Sequence, residues 1–224
     1  MKARGMNELV PAERELIDKM IELRPNLAVC VDSLTALHAA LVMCFDAGGK
    51  VLTCGNGGSY AQAMHMVGEL LKSFERHRPV SARMAETLRY LPFGKELATN
   101  LEVGLPAITL GLNSVLKTAI ENDVSMRDIA FAQEAYALLK PEDALIAIST
   151  SGTAANCLMA MSVAKAVGAT TAAITGANGG RMAALADIAV EAPGATTKHV
   201  QEAHLVLCHT LCAMAEAHYF AETR

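Results

Sequence analysis

The chain has no tryptophan and few other aromatic residues, so aromatics make up only 4% of its 224 residues. Charged residues are also scarce at 19%, whereas hydrophobic residues reach 52%. A chain of this length can form one domain with a sizeable core. The apolar composition indicates that much surface is buried, and we expect part of it in contacts between subunits.

Features typical of secreted, membrane and nucleic-acid-binding proteins are missing. The six cysteines are scattered in apolar runs rather than arranged in a disulfide-like framework. We expect no signal peptide and no apolar run long enough to span a bilayer. The net charge is −4, and no long basic run suggests a nucleic-acid partner. These observations predict a cytoplasmic protein without membrane association.

The hydrophobic pattern alternates between strands and helices. Strands are predicted at residues 50–54, 106–110, 144–148, 169–174 and 187–190. Helices are predicted at residues 7–22, 26–46, 60–71, 155–167, 181–185 and 199–220. This alternation predicts an α/β fold, a doubly wound parallel sheet flanked by helices.

The same pattern suggests one domain over residues 1–224. Residues 1–47 are expected to form an N-terminal helical hairpin, with Gly48 and Gly49 as the stop signal. Residues 73–105 are expected to be a partly helical insertion near the site. Within it, residues 91–94 could form a lid or an extra subunit contact.

Two loops rich in glycine and hydroxyl groups follow predicted strands. Residues 55–59 read Gly-Asn-Gly-Gly-Ser, and residues 149–153 read Ser-Thr-Ser-Gly-Thr. Helix N-termini after such loops favour anions, so we predict phosphate binding. Each loop alone could equally be an ordinary turn with an N-cap. Neither has Rossmann or Walker spacing, which favours a small phosphorylated molecule over a nucleotide.

Candidate metal ligands lie on two predicted helices. His65 and Glu69 are four residues apart and share a face, and Gln201 and His209 lie roughly on one side of the last helix. Imidazole and carboxylate suit zinc. Each pair could instead be a surface ion pair or a core histidine. A rival metal face consists of His204, Cys208 and Cys212, although cysteines in such helices are more often core residues.

Several motifs in order carry a family resemblance: Gly55-Asn56-Gly57-Gly58-Ser59, Ala63-Met64-His65 followed by Glu69, Asn122-Asp123, Ile148-Ser149-Thr150-Ser151-Gly152, Thr175-Gly176 followed by Gly179-Gly180, and Gln201-Glu202 followed by His204 and His209. Together they resemble the phosphoheptose isomerase family, whose SIS (sugar isomerase) fold is a flavodoxin-like three-layer sandwich. The resemblance covers most of the chain outside residues 73–105. It implies isomerisation of sedoheptulose 7-phosphate to D-glycero-D-manno-heptose 7-phosphate.

The resemblance also implies residue roles. One zinc ion per subunit would be held by His65, Glu69, Gln201 and His209. Including the loop hydroxyls and Gln201, the predicted substrate-binding residues are Asn56, Gly57, Gly58, Ser59, Asn122, Asp123, Ser149, Thr150, Ser151, Thr153 and Gln201. A homotetramer with active sites between subunits is implied as well.

Interconversion of an aldose and a ketose through an enediol needs a base for the carbon-bound proton and an acid for the carbonyl oxygen. Glu69 fits the base and His209 fits the acid. A group that ligates zinc strongly is a poor base, so we expect a loosely held metal or ligand exchange during turnover.

Some positions depart from the family pattern. Ala154 stands where a serine is usual, Ser73 where an arginine is frequent and His199 where another arginine is frequent. Three alternatives therefore stay open. The first is isomerisation of another ketose phosphate, and the second is a non-catalytic SIS protein that binds a protein partner such as the bacterial initiator DnaA. The third, a sugar-phosphate sensor, lacks a recognisable DNA-binding segment.

Overall fold

A computed structural model describes residues 9–220 of the chain. Within that range five parallel strands form one sheet in the order β2-β1-β3-β4-β5. The strands are β1 (Val51–Gly55), β2 (Ala107–Thr109), β3 (Ala144–Ser149), β4 (Thr170–Gly176) and β5 (Ile188–Ala192). Every strand predicted from the sequence is present, with ends shifted by two residues or fewer. The doubly wound parallel sheet is therefore confirmed.

Helices cover both faces of this sheet. They are α1 (Pro11–Leu23), α2 (Val31–Asp46), α3 (Gly58–Leu71), α4 (Ala82–Leu88), α5 (Gly94–Asn100), α6 (Ser114–Asp123), α7 (Ala130–Leu138), α8 (Ala155–Val167), α9 (Gly180–Leu185) and α10 (Thr197–Phe220), with a 3-10 helix at Pro25–Cys30. The start of the predicted first helix, at residues 7 and 8, lies outside the described residues. The sequence pattern did not predict α6 and α7.

The side chains of each central strand alternate between two cores. Val51 and Ile146 pack with α2, α3 and α10 on one face, whereas Leu52 and Leu145 pack with α7, α8 and α9 on the other. The three-layer sandwich expected from the sequence is thus confirmed. Its strand order reverses direction between β1 and β3, which is where ligands bind in open α/β sheets.

One segment contradicts a sequence expectation. Pro25–Asp46 is 22 residues long and apolar enough to cross a membrane by length and composition. Its apolar face is nevertheless part of the core, because Leu27, Leu34, Leu37 and Leu41 are all buried against the sheet side of the fold. The segment packs against β5 and α10. In this structure it is a core helix of the N-terminal hairpin.

A buried carboxylate joins the N-terminal hairpin to α10. Glu13 Oε1 lies 3.0 Å from His38 Nε2 and 2.8 Å from His218 Nδ1, and Glu13 Oε2 accepts the Val10 amide at 2.7 Å. Burial alone would raise the pKa of Glu13, but the hydrogen bonds from His218, His38 and Val10 outweigh it and lower that pKa to about 2. Glu13 is therefore a charged crosslink between three helices.

The predicted insertion, residues 73–105, leaves the fold after α3 and returns before β2. Its base is closed by Glu102, whose carboxylate accepts the Ser73 hydroxyl at 2.6 Å and the Ser73 amide at 3.1 Å. These bonds lower the pKa of Glu102 to about 2. Helices α4 and α5 lie in this excursion, and Tyr90 and Phe93 between them are largely exposed. Ser73 therefore binds Glu102 within its own chain.

Candidate active site

Two loops meet where the strand order reverses. The loop after β1 leads into α3 through Gly57, whose φ of 54° lies in the left-handed region that glycine adopts at little cost. The Asn56 amide bonds reciprocally with the Asn156 amide on α8, at 2.9 and 2.8 Å. This pair links the two predicted phosphate loops. The sequence analysis did not predict a role for Asn156. The one indication in the sequence is that a polar residue stands at the start of an otherwise apolar helix.

The loop after β3 gathers hydroxyl groups at the same edge. Ser149 Oγ lies 3.5 Å from Ser151 Oγ, and Ser151 Oγ lies 3.0 Å from Thr153 Oγ1. Gly152 has a φ of 63° and packs on the Gly179 carbonyl, where a side chain would clash. The hydroxyls of Ser151 and Thr153 remain exposed. They are placed to contact a bound anion.

Helix α8 starts next to these hydroxyls. Its N-cap is Ala154, which makes no side-chain capping bond in the described structure. A serine or threonine there would bond an amide of the first turn. In this chain that cap is missing, although the Cys157 amide in the first turn of α8 donates to the Asn156 side chain at 3.0 Å. The N-terminal end of α8 still favours an anion.

His65, Glu69 and His209 converge between α3 and α10. Glu69 Oε1 lies 2.8 Å from His65 Nε2 and 3.3 Å from His209 Nε2, and the two imidazole centroids are 5.1 Å apart. Glu69 is buried, whereas His65 is 50% and His209 37% exposed. Both helices run from the sheet edge that carries the loops, so the sequence spacing and the packing together produce one cluster.

The donor set of this cluster suits a cation. Ligand atoms of His65, Glu69 and His209 all lie within 4.8 Å of one another. Within residues 9–220, Glu69 Oε2 and His209 Nε2 are buried without a hydrogen-bond partner. In the otherwise similar Glu13 cluster, both carboxylate oxygens accept N–H groups. The comparison favours the Glu69 cluster as the metal site, because the second carboxylate oxygen of Glu69 has no hydrogen-bond partner whereas that of Glu13 accepts the Val10 amide.

Gln201 lies near the N-terminal end of α3. Its backbone carbonyl accepts the Gln62 side-chain amide at 2.5 Å. Its own carboxamide fills the space beside Gly58, where a Cβ would approach Gln201 Nε2 to 2.5 Å. The structure thus places Gln201 by the first loop and on the same side of α3 as Gln62.

The rival set on α10 belongs to the core. His204 is buried, and its Nε2 lies 3.0 Å from the Thr175 carbonyl oxygen. Burial lowers the pKa of His204 and raises the pKa of Cys208 to about 12, with the charge of Glu69 contributing to the second shift. Cys212 is also fully buried. The interpretation of these cysteines as core residues is confirmed, since neutral buried thiols are poor metal ligands.

A cavity of about 700 Å³ opens beside the first loop. Asn56 and Gly57 line one wall, and the ring of Tyr60 stacks on Phe131 with centroids 6.2 Å apart. Lys117 and Arg127 also line this cavity. The sequence did not indicate these last four residues, because they come from separate elements that only the fold brings together.

Asn122 and Asp123 lie at the C-terminal end of α6 and are exposed. Asn122 Nδ2 bonds Asp123 Oδ1 at 2.8 Å. Their neighbours Glu121 and Val124 line the cavity. The two predicted substrate residues therefore lie next to the cavity but do not line it.

Comparison with known proteins agrees with this architecture. Two SIS domain profiles match, over residues 122–217 and 18–102. A phosphoheptose isomerase of Crocosphaera subtropica is 37% identical over 178 residues, which cover 80% of this chain and 78% of that protein.

Solved structures give the same result. A phosphoheptose isomerase from Francisella tularensis has a TM-score of 0.70 and 28% identity, covering 90% of this chain and 95% of its own. One from Neisseria gonorrhoeae has a TM-score of 0.67 and 26% identity, covering 92% of this chain and 93% of its own. The chain belongs to the phosphoheptose isomerase family of SIS-domain proteins.

Proposed function

We propose that this protein is an aldose–ketose isomerase that converts sedoheptulose 7-phosphate to D-glycero-D-manno-heptose 7-phosphate through an enediol. The observation that carries the proposal is the position of Glu69 between His65 and His209, near the C-terminal end of α3, the helix that begins at the first of two loops suited to a phosphate. Similarity to phosphoheptose isomerases over about four-fifths of the chain supports this substrate.

Glu69 acts as the base and His209 as the acid. Oε1 of Glu69 faces both histidines and takes the proton from the substrate carbon, while the imidazole of His209 donates to the carbonyl oxygen. In the arrangement without a metal, His65 Nε2 lies 2.8 Å from the same oxygen and orients the carboxylate. The packing of the Phe74 ring, 5.5 Å from the His209 ring, limits rotation of that imidazole.

Zinc is the proposed cofactor, at one ion per subunit, with His65, Glu69 and His209 as ligands and Gln201 as a weaker fourth. When bound it would supply positive charge that stabilises the developing enediolate. The unpartnered buried atoms Glu69 Oε2 and His209 Nε2 support this assignment.

The phosphate and the sugar hydroxyls are bound by the loops at the sheet edge. In this proposal the phosphate contacts the hydroxyls of Ser149, Thr150, Ser151 and Thr153 and the first-turn amides of α8. The remaining predicted contacts, along the first loop, α6 and α10, are Asn56, Gly57, Gly58, Ser59, Asn122, Asp123 and Gln201.

We further propose a cytoplasmic homotetramer with active sites at subunit interfaces, in which residues 1–224 form one SIS domain and residues 73–105 an insertion. Large apolar side chains are exposed on several elements, including Phe93, Val115 and Tyr136. Their burial in subunit contacts would remove apolar surface from water. The six buried, unpaired cysteines suit a reducing compartment.

The test is turnover of sedoheptulose 7-phosphate by the purified protein with and without added zinc, together with Glu69→Gln. We expect zinc-stimulated formation of the heptose 7-phosphate and a loss of roughly 10²- to 10⁴-fold in Glu69→Gln. Full activity of Glu69→Gln would refute the role given to this residue.

One observation favours an alternative substrate, another ketose phosphate. Ala154 removes a side-chain cap next to the proposed phosphate site, so a different ketose phosphate could be preferred. Parallel assays with other ketose phosphates decide this, because the preferred substrate has the highest kcat/KM.

A further inference from the structure

Arg78 is fully buried, and its guanidinium reaches the C-terminal end of α3. Nη1 donates to the Leu70 carbonyl at 2.8 Å, and Nη2 donates to the Glu69 carbonyl at 3.1 Å. The last carbonyls of a helix lack partners within it. Arg78 provides those partners, and it thereby holds the backbone of the residue proposed as the base.

The counter-ion of Arg78 lies on the other helix of the site. Nε of Arg78 donates to Glu216 Oε1 at 2.7 Å, and both side chains have zero exposure. Glu216 lies seven residues after His209 on α10, which is about two helical turns, so the two side chains share one face. The ion pair therefore links the end of α3 to the His209 face of α10.

Glu216 also fixes the turn after α3. Its carboxylate accepts the amides of Phe74 at 2.9 Å, Glu75 at 2.7 Å and Arg76 at 2.8 Å. Phe74 in turn packs its ring against the ring of His209. The Glu216 carboxylate therefore holds the Phe74 ring against His209, the proposed acid.

We propose that Arg78 and Glu216 are positioning residues that hold Glu69 and His209 at the separation needed for proton transfer. Neither reaches the substrate, and each acts through the backbone or through Phe74. Small displacements of catalytic groups cost large factors in rate. This inference rests on the roles proposed above for Glu69 and His209. The competing explanation is that the pair only stabilises the fold.

Arg78→Lys separates the two explanations, because lysine keeps the charge but cannot reproduce the planar fork of donors. The matched control is Glu13→Gln, which alters an equally buried carboxylate bonded to His218 on α10. Nine residues, or about two and a half turns, separate His209 and His218, so this control lies on the opposite side of α10.

Both variants are expected to lower the melting temperature. At a temperature well below either transition, we expect Arg78→Lys to lower kcat by roughly ten- to a hundredfold with little change in KM, whereas Glu13→Gln keeps the kcat of the wild type. Arg78→Lys should also bind Co²⁺ more weakly than the wild type, as measured by titration.

An unchanged kcat in Arg78→Lys, or an equal loss in Glu13→Gln, would overturn the inference. If Arg78→Lys does not fold, the double variant Arg78→Met/Glu216→Gln removes both charges together and should show the same loss of kcat. Failure of the proposed function itself is distinguishable, since the wild type would then be inactive or Glu69→Gln fully active.

Discussion

Asn56 and Asn156 exchange two amide hydrogen bonds across the point where the strand order of the sheet reverses. One residue follows β1, and the other lies in the first turn of α8. The pair fixes the spacing of the two loops that are proposed to bind the substrate.

Asn156→Ala should therefore weaken substrate binding more than it weakens the fold. The pair is exposed, so its loss should cost about 1 kcal/mol of unfolding free energy or less, while KM for sedoheptulose 7-phosphate should rise roughly tenfold. Asn100→Ala is the control. Asn100 is also exposed, and its side-chain amide donates to the Glu96 carbonyl on its own helix. Equal KM values in the two variants would contradict the prediction.

We expect one zinc ion per chain. Glu69→Gln should lose it during dialysis against a weak chelator, whereas Glu13→Gln should retain it, because the Glu13 oxygens already accept N–H groups. Elemental analysis of the dialysed proteins measures the ratio. Two zinc ions per chain, or retention of zinc by Glu69→Gln, would show that the metal binds at another place.

Gly58→Ala tests the place of Gln201. A Cβ at Gly58 would displace the Gln201 carboxamide, which is the flexible end of a side chain, so folding should be preserved. We expect kcat/KM to fall by roughly tenfold or more. Gly68→Ala, on the same helix, places its Cβ more than 4 Å from other described atoms and should stabilise the protein by up to about 1 kcal/mol without loss of activity. Normal activity of Gly58→Ala would remove Gln201 from the site.

The stability of the protein should depend on Glu13 in a defined pH range. Its folded pKa of about 2 lies below the ordinary value of 4.5, so the stabilisation is complete above pH 4.5 and is lost as the pH falls toward 2. The shift corresponds to about 3 kcal/mol at neutral pH. Urea unfolding at pH 7 and pH 3 should show that the difference between wild type and Glu13→Gln shrinks by about half.

Glu15→Gln is the control for this measurement. Glu15 lies on the same helix and pairs with Lys19 at the surface, with 66% of its side chain exposed. Exposed pairs contribute little, so its effect should be small at both pH values. A constant difference between wild type and Glu13→Gln would mean that the two histidines do not hold this carboxylate in its charged form.

Much of the fold was predictable because its signals are local. Five buried apolar segments became the five strands, and helix α8 has the predicted limits Ala155–Val167. Helices α6 and α7 were missed for a physical reason. α6 is mostly exposed, with Ile120 as its one buried residue, and α7 has only nine residues, so each gives a short local signal.

The sequence by itself determined the alternation of strands and helices, the two hydroxyl-rich loops and the pairing of His65 with Glu69 on one helical face, because each depends on residues close together in the chain. The family resemblance implied that His209 joins that pair, and the packing of α10 on α3 brings the three side chains together. Only the tertiary structure decided that His204 faces the core and that Asn156 meets Asn56. It alone revealed Arg78 and Glu216, which lie 138 residues apart. Contacts between distant residues depend on how helices pack on the sheet, and periodicity within one segment does not encode that packing.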